Sequence, residues 1–373
     1  MGTYLPVLLA FALTAILTLS LRPLALRFQL TDKPGGRKRH VGEIPLVGGI
    51  AMLIAIIVAL EFVAEPASHA SFLIPAAIFV VVGAVDDRYG IRASVRIGAQ
   101  IGAVLVMMIA GGLYLRDIGD PFGTGILGLG FLSIPLSILI TLCVINAYNF
   151  ADGIDGLAAS LALITLAAGA LASGLAAPAT LVATIACGAI LGFMLFNLPG
   201  LHNRRLRTFM GDAGSTLLGF IVVWFTVTIS QGEGRALSPV AALWFALMPL
   251  ADFFSCVVRR VAKGRLPFHA GRDHFHHILM RAGLNGRQVL TVLVCFGVFY
   301  SSVGLIGANL RLPDWTLFAP WITLLATQHL IVRRIAVQVR CRRWKAAKEI
   351  VAPIGKDAAQ LERPEQIPVR EAA

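Results

Sequence analysis

The stretch LSIPLSILITLCVINAYNFADGIDGL, residues 132–157, joins a long apolar run directly to a polar, acidic segment. Residues 132–147 carry no charge, and apolar runs of this kind recur from end to end of the chain. None of them alternates with polar residues, as the strands of a membrane barrel would. Because only helices and closed barrels satisfy their backbone groups in lipid, we predict an all-α, polytopic integral membrane protein.

The composition agrees with a membrane protein. The chain has 373 residues, of which 57% are hydrophobic and 14% charged, whereas soluble domains are about 25% charged. We predict eleven transmembrane helices, and we expect the ninth to be kinked or broken because it contains Pro249. The predicted spans cover residues 4–26, 46–63, 71–85, 95–113, 132–147, 157–174, 178–197, 215–229, 239–258, 289–310 and 315–332.

Lysine and arginine are distributed unevenly between the loops. Only Arg116, Arg235 and Arg311 lie on one set of alternate loops; the rest of the 32 Lys and Arg lie on the other set, at span ends or in the C-terminal segment. By the positive-inside rule, the amino terminus is periplasmic and the carboxyl terminus cytoplasmic. The first apolar run lacks a basic n-region and an A-x-A cleavage site, so we expect a retained span.

Membrane orientation therefore accounts for most of the net charge of +12, and we expect no nucleic-acid partner. We predict that residues 1–338 form a single transmembrane domain whose cytoplasmic loops hold an active site. Residues 339–373 form a basic, partly disordered cytoplasmic tail, and its cations rest on anionic membrane lipid.

The cytoplasmic loops place acids beside bases. The first loop, residues 31–49, contains Lys38 and His40 among several cations, which suits an anionic ligand and equally suits a plain positive-inside loop. Asp86 and Asp87 lie at the end of the third predicted span. Adjacent carboxylates repel each other unless a cation or a proton relieves them. At the edge of the hydrocarbon such acids are costly, so we interpret the pair as functional.

Two further acidic segments lie on the same side. In NAYNFADGIDGL, Asn149 offers an amide, and Asp152 and Asp155 would share one face if the segment were helical. In FMGDAGS, Asp212 directly precedes a predicted span, where a helix amino terminus offers N–H groups to phosphate.

The segment PFHAGRDHFHH adds a histidine cluster. On helical spacing His274 and His277 share a face and His276 lies nearly opposite. A zinc site stays open on this spacing, but the neighbouring Arg272 favours contact with an anion or phosphate. Asp252, near the end of the ninth span, is either a site residue or the partner of a nearby arginine.

Together these loops supply carboxylates for a divalent cation and basic groups for phosphates. Diphosphate chemistry has this requirement, because two anionic reactants must be neutralised before one can attack the other. Since the loops abut the membrane, we expect one reactant to be a lipid phosphate.

The same loops resemble, in order and spacing, the motifs of the polyprenyl-phosphate N-acetylhexosamine-1-phosphate transferases. The resemblance covers roughly residues 30–290, across most of the predicted spans. The segments that carry it are DKPGGRKRHVGEIPLVGGI, DDRYGI, NAYNFADGIDGL, FMGDAGSTLLGF, SPVAALW and DHFHHILMRAGL.

The resemblance implies an enzyme of the bacterial inner membrane whose active site faces the cytoplasm. It implies a magnesium- or manganese-dependent reaction between UDP-N-acetylglucosamine and undecaprenyl phosphate, which gives undecaprenyl-diphospho-N-acetylglucosamine and UMP. This product starts O-antigen or related surface polysaccharide synthesis, of the lipopolysaccharide and enterobacterial common antigen type. Two copies could form a homodimer, although the sequence leaves the oligomeric state open.

The resemblance also assigns roles. It implies that Asp212 binds magnesium with Asp87 and that Asp86 and Asp87 activate the lipid phosphate. It also implies that Asn149, Asp152 and Asp155 line the nucleotide site, that Phe209 stacks on uracil and that Asn197 lies near the nucleotide. DDRYGI departs from the DDxxD form because it lacks the third aspartate, so the resemblance does not imply a metal clamp from that loop alone. The catalytic set is Asp86, Asp87, Asp152, Asp155, His274, His276 and His277. The substrate-binding set is Lys38, His40, Asn149, Asn197, Phe209 and Arg272.

Two other classes of protein have similar features. A secondary transporter would show an inverted repeat and acids at mid-membrane, whereas these acids lie at helix ends on one side. A CDP-alcohol phosphotransferase would want an Ala-Arg pair after the first Asp-Gly, and DGIDGLAAS contains no arginine.

Overall fold

The structure is a computed structural model that describes residues 4–33, 42–63, 69–174, 177–201, 204–264 and 274–351. These residues are mostly helical, as predicted, and form fourteen helices. The helices are α1 (Tyr4–Ser20), α2 (Arg22–Arg27), α3 (Gly48–Leu60), α4 (Ala70–Tyr89), α5 (Ala93–Gly111), α6 (Ser133–Ala151), α7 (Leu157–Ser173), α8 (Pro178–Asn197), α9 (Gly211–Ser230), α10 (Pro239–Phe245), α11 (Leu247–Val261), α12 (Phe275–Arg281), α13 (Gly286–Asn309) and α14 (Asp314–Val351).

A short antiparallel sheet, which the sequence did not predict, follows α2. Strand β1 (Thr31–Asp32) pairs with β2 (Ile44–Pro45), so the two ends of the loop between the first and second predicted spans are tied together. Leu46 then forms an isolated parallel bridge with Phe209, which brings this loop against the segment that leads into α9.

Every predicted span overlaps a helix or a pair of helices. Among the residues that the structure describes, eight helices are long and apolar enough to cross a membrane, and the bent pair α10–α11 would make nine. Two apolar helices, α3 and α7, are shorter. The chain is thus a multi-pass membrane protein, while the count of eleven spans and the orientation of the termini remain predictions.

The predicted break in the ninth span is confirmed, and α10 and α11 meet at an angle of 80°. Pro249 has no N–H to donate to the carbonyl of Phe245, four residues earlier, so the helix cannot continue through that turn. The Phe245 carbonyl instead accepts the hydroxyls of Thr165 (2.7 Å) and Ser301 (3.4 Å). The bend therefore leaves the Phe245 carbonyl satisfied.

Helix α9 is the centre of the bundle, buried almost along its whole length and packed against α3, α4, α6, α7 and α8. Its close neighbours present glycine at the contact. A Cβ at Gly83 of α4 would overlap the backbone of Ala213, and one at Gly49 of α3 would overlap that of Gly214. Small residues therefore let three backbones approach one another at the start of α9.

The last helix, α14, runs without interruption through residue 338, the predicted boundary between membrane domain and tail. The basic segment up to Val351 thus continues the final span as helix. The predicted disorder of the tail concerns residues that lie mainly outside the described part of the chain.

The Gly83→Ala variant should unfold at lower temperature, because the added methyl group must displace the backbone of α9, at a cost of about 1–3 kcal/mol. Gly102→Ala is the matched control, since a Cβ at this position of α5 meets no atom within 4 Å. Thermal unfolding of the two purified variants in one detergent measures the difference. Equal unfolding temperatures would show that the α4–α9 contact is looser than described.

Candidate active site

Asp87 joins α4 to the start of α9. Its Oδ1 accepts the backbone N–H of Asp212 (2.9 Å) and its Oδ2 accepts that of Ala213 (3.2 Å). A carboxylate at this position caps the helix and lies at the positive end of the helix dipole. The sequence predicted that N–H groups at this helix start would serve a phosphate. That prediction is wrong for the N–H groups of Asp212 and Ala213, because they donate to Asp87.

Asp86, one residue earlier, faces α5 instead. Its Oδ1 accepts the N–H of Ile91 (2.9 Å), and its Oδ2 pairs with the guanidinium of Arg96 (2.6 Å). The same Arg96 nitrogen lies 3.6 Å from Asp212 Oδ2. Arg96 thus bridges two of the predicted acids, and sequence reasoning missed it. Its only signal was a charged residue in the first turn of an otherwise apolar span.

Asn149, near the end of α6, reaches the same place from a third helix. Its amide nitrogen donates to Asp212 Oδ1 (2.7 Å) and to the hydroxyl of Ser215 (2.9 Å). The predicted residues Asp86, Asp87, Asn149 and Asp212 therefore form one cluster around the amino terminus of α9. Because both oxygens of Asp212 face donors, the cluster fixes the orientation of this carboxylate.

The acids of DGIDG lie on turns and not on one helical face, because α6 ends at Ala151 and α7 begins at Leu157. Asp152 is half-buried. Burial and the charges of Asp212, Asp155 and Asp87 raise its pKa well above the usual aspartate range. No hydrogen bond or ion pair to the Asp152 carboxyl is found within the described ranges. This carboxyl therefore lies among like charges with no cation paired to it in the described residues.

Asp155, three residues after Asp152, pairs with Arg207 (2.5 Å). The guanidinium carbon of Arg207 lies 4.8 Å from the ring centre of Phe209, so cation and ring form a stacked pair. Asp155 and Phe209, both predicted at the nucleotide site, are thus joined through an arginine that the sequence did not single out.

Arg22 holds the segment that carries Arg207. Its guanidinium donates to the carbonyls of Leu206 (2.7 Å), Arg207 (2.9 Å) and Arg205, and to the hydroxyl of Thr208 (2.8 Å). An arginine presents a rigid fork of donors, which suits a cage of carbonyl oxygens. No spacing rule links residue 22 to residues 205–208, so only the folded structure reveals this contact.

Asn197, predicted near the nucleotide, is buried and uses both ends of its amide on the backbone. Its oxygen accepts the N–H of Gly156 (2.7 Å), and its nitrogen donates to the carbonyl of Thr208 (3.0 Å). Asn197 therefore ties the DGIDG turn to the segment before α9. It thereby fixes the positions of these two loops relative to each other.

The histidines form a second cluster beside the DGIDG turn. His274 is extended at the start of α12, so helical spacing does not apply to it, and the pair that stacks is His274 with His276, with ring centres 5.8 Å apart. His274 Nδ1 lies 3.3 Å from Asp252 Oδ2, and Asp252 Oδ1 accepts the N–H of Phe275 (2.7 Å). The open question about Asp252 is thus answered, because it anchors this cluster.

The pKa values of the two buried histidines shift in opposite directions. Burial favours the neutral form of His274, but the Asp252 carboxylate, whose Oδ2 lies 3.3 Å from Nδ1, and the nearby Cys256 thiol raise its pKa to about 9. Burial and the charge of His277 lower the pKa of His276 to about 3. At neutral pH, the site therefore holds one imidazolium beside one neutral imidazole.

Comparison with known proteins identifies the family. The sequence model of glycosyl transferase family 4 matches residues 69–230. A protein of Escherichia coli O157:H7 named undecaprenyl-phosphate alpha-N-acetylglucosaminyl 1-phosphate transferase is 36% identical over 346 residues, 91% of either chain. Proteins of the same name from Yersinia pestis (35%; 88% of this chain, 89% of the relative) and Pasteurella multocida (34%; 84% and 88%) are similar. The chain belongs to glycosyl transferase family 4.

Membership of glycosyl transferase family 4 confirms the family predicted from the order of the motifs. Membership of this family decides against the other two interpretations of the sequence, a secondary transporter and a CDP-alcohol phosphotransferase. The predicted residues Lys38, His40 and Arg272 lie outside the described residues.

The donor set of this family member fits a magnesium ion. Within the described ranges no three side chains of His, Cys, Asp or Glu form a ready-made metal site. Magnesium, however, commonly takes one or two carboxylates and completes its shell with water and substrate phosphate. Asp212 with Asp152 or Asp87 supplies such oxygens, and the unpaired carboxyl of Asp152 marks where a cation would relieve repulsion.

The His274–Asp252 pair should make stability depend on pH. The folded pKa of His274, about 9, exceeds the unfolded value of about 6.5. The stabilisation is therefore complete below about pH 6.5 and is lost as the pH rises through about 9. We expect the protein to lose about 2–3 kcal/mol between pH 7 and pH 10 from this group.

The measurement is the unfolding temperature of the protein and of His274→Gln across that pH range. Other groups titrate in both proteins, so their effects cancel in the difference. The two curves should converge toward pH 10. A constant difference would show that His274 is not charged at neutral pH.

Proposed function

We propose that the protein transfers N-acetylglucosamine 1-phosphate from UDP-N-acetylglucosamine to undecaprenyl phosphate. The products are undecaprenyl-diphospho-N-acetylglucosamine and UMP. The observation that carries the proposal is the cluster of Asp86, Asp87, Asn149 and Asp212, with Arg96, at one end of a membrane-spanning bundle. Relatives that align over nine-tenths of the chain bear the name of this activity.

A magnesium ion, or manganese in its place, would be held by Asp212 with Asp152 or Asp87. When bound, the ion would neutralise the charge of the diphosphate. Residues of the chain supply further positive charge. Arg96 lies between two carboxylates, and His274 contributes a buried positive charge near the DGIDG turn. These cations reduce the repulsion between two anionic reactants.

In the proposed reaction an oxygen of the lipid phosphate attacks the β-phosphorus of the nucleotide sugar. A new P–O–P bond forms, and the bond from the β-phosphorus to the bridging oxygen breaks, so that UMP leaves. A phosphate monoester is largely ionised at neutral pH and needs alignment more than a strong base.

The hydrogen bonds of the acid pair support direct attack over an aspartate nucleophile. Each oxygen of Asp86 accepts a bond, from Ile91 and Arg96, and each oxygen of Asp87 accepts a backbone N–H. Carboxylate oxygens that already accept hydrogen bonds are less available to attack phosphorus.

The nucleotide is proposed to lie on the Arg207 side of the cluster. Phe209 presents an aromatic ring for stacking on uracil, and its neighbour Arg207 adds positive charge. His276 and His277, with the loop that contains Arg272, are proposed to contact the diphosphate or the sugar. Lys38 and His40 are proposed to contact the anionic substrates from the first cytoplasmic loop.

We further propose that the enzyme lies in the bacterial inner membrane with this site facing the cytoplasm, because nucleotide sugars are cytoplasmic and the basic loops lie on the same side. Its product would start O-antigen or a related surface polysaccharide. A homodimer is compatible with this arrangement.

The central experiment supplies purified protein in detergent with magnesium, undecaprenyl phosphate and a panel of UDP-sugars. We expect UMP release with UDP-N-acetylglucosamine only when both magnesium and lipid are present. Without lipid, direct attack predicts no burst of UMP, whereas an aspartate nucleophile would release one equivalent per enzyme. A well-folded sample that releases no UMP with any sugar would refute the assignment.

The same assay in sealed vesicles tests the orientation. The nucleotide sugar does not cross the bilayer, so inside-out vesicles should release UMP and right-side-out vesicles should not until they are opened with detergent. The opposite result would place the site on the other side of the membrane.

Asp212→Asn should lower UMP release by at least about 100-fold, because the substitution removes the charge of the proposed metal ligand while Asn149 and Arg96 remain in place. Asp120→Asn is the control, since the Asp120 carboxylate accepts the N–H groups of Thr124 and Gly125 in a loop at the other end of the bundle. Both variants should insert and fold normally. Near-normal activity of Asp212→Asn with unchanged magnesium dependence would exclude Asp212 as a ligand.

A further inference from the structure

A groove of about 500 Å³ lies between the end of α2 and the last turns of α4, on the outside of the bundle. Its inner wall is apolar and is formed by Val81, Ala84 and Val85 of α4. Arg27 and Arg88 line the same groove. The groove therefore combines an apolar floor with two cations.

The position of the arginines in the membrane can be read from the spans. Arg27 ends the span Tyr4–Arg27, and Arg88 is the penultimate residue of the span Ala70–Tyr89. Both guanidinium groups thus lie where a span leaves the hydrocarbon, at the level of lipid headgroups. Two aromatic residues, Phe28 (64% exposed) and Tyr89 (74% exposed), line the groove at the same level.

Arg88 is held in place by its neighbours. Its Nε donates to the carbonyl of Phe28 (2.8 Å), its Nη2 donates to Oε1 of Gln29 (3.2 Å), and its guanidinium lies over the ring of Tyr89 at 5.0 Å. Its Nη1 group makes no hydrogen bond within the described part of the chain. The guanidinium is therefore oriented in advance, with donors left for an anion.

The groove is separate from the acid cluster. On α4, Gly83 and Asp87 lie one turn apart on the face that packs against α9. Val81, Val85 and Arg88 follow a helical stripe on the other side of the same helix. A phosphate bound at Arg88 would thus lie across α4 from Asp87 and Asp212.

We propose that this groove binds an anionic glycerophospholipid of the surrounding membrane. One acyl chain lies along Val81, Ala84 and Val85, and the headgroup phosphate pairs with Arg27 and Arg88. Charge complementarity selects an anionic lipid, and the location across α4 from the acid cluster argues against the lipid substrate. The inference needs only that the chain spans a membrane, and it does not depend on the proposed reaction.

The experiment is native mass spectrometry of the delipidated protein titrated with phosphatidylglycerol and, separately, with phosphatidylcholine of the same acyl chains. The protein should retain one phosphatidylglycerol more tightly than phosphatidylcholine. Each arginine near a headgroup contributes about fivefold in affinity. Arg27→Gln should therefore weaken phosphatidylglycerol about fivefold, and Arg27→Gln with Arg88→Gln about 30-fold.

Two further variants keep the test sharp. Val81→Trp changes no charge but fills the apolar floor, so it should weaken phosphatidylglycerol as well. Arg334→Gln is the matched control for charge, because Arg334 is an exposed arginine on α14, away from the groove, and it should leave the affinity unchanged. If the double variant does not fold, Arg27→Gln and Val81→Trp still decide the question.

Three results would overturn the proposal. One is unchanged phosphatidylglycerol affinity in both Arg27→Gln and Val81→Trp, and another is equal retention of the two phospholipids. The third is one-for-one displacement of phosphatidylglycerol by undecaprenyl phosphate with the same sensitivity to Arg27→Gln, which would assign the groove to the polyprenyl lipid.

Discussion

The site depends on one interaction, the bond between the Asp87 carboxylate and the first N–H groups of α9. It can form only because the backbones of α4 and α9 come unusually close. Gly83 leaves room for Ala213, and Gly211, at a φ of +70°, leaves room for the Asp87 carboxylate itself. A side chain at either glycine would separate the two helices and break the cap. The glycines of this region are therefore part of the chemistry as well as of the packing.

This contact has an electrostatic consequence. Asp87 brings its charge to Asp212, and Arg96 provides positive charge for Asp86 and Asp212. Asp152 then lies near several negative charges and is paired to no cation among the described residues, so its neutral form is favoured. The fold thus holds together acids that would otherwise repel each other. A divalent cation bound there would reduce that repulsion, whereas a phosphate bound there would increase it.

The sequence predicted the elements well, because apolar runs report helices in lipid directly and because acids at span ends are rare enough to mark a site. Pro249 likewise predicted a broken helix from its missing N–H alone. The sequence predicted the partners of those acids poorly. Arg96, Arg207 and Arg22 looked like ordinary positive-inside charges, and only helix packing gives them their roles. The DGIDG segment is a turn, because α6 ends before its first acid.

The histidine cluster shows why spacing alone could not assign protonation states. His274 and His276 are both almost fully buried, and burial alone would make both neutral. Asp252 makes the two histidines differ, since its carboxylate lies 3.3 Å from His274 Nδ1 and accepts the N–H of Phe275. His276 then faces Gly153, where a side chain would collide with its Nε2, and that nitrogen has no hydrogen-bond partner within the described residues. Because of this one buried carboxylate, His274 is a cation, whereas the similar imidazole of His276, beside the DGIDG turn, is neutral. A substrate at this turn would contact the neutral imidazole of His276, while the positive charge of His274 lies farther from it, beside Asp252.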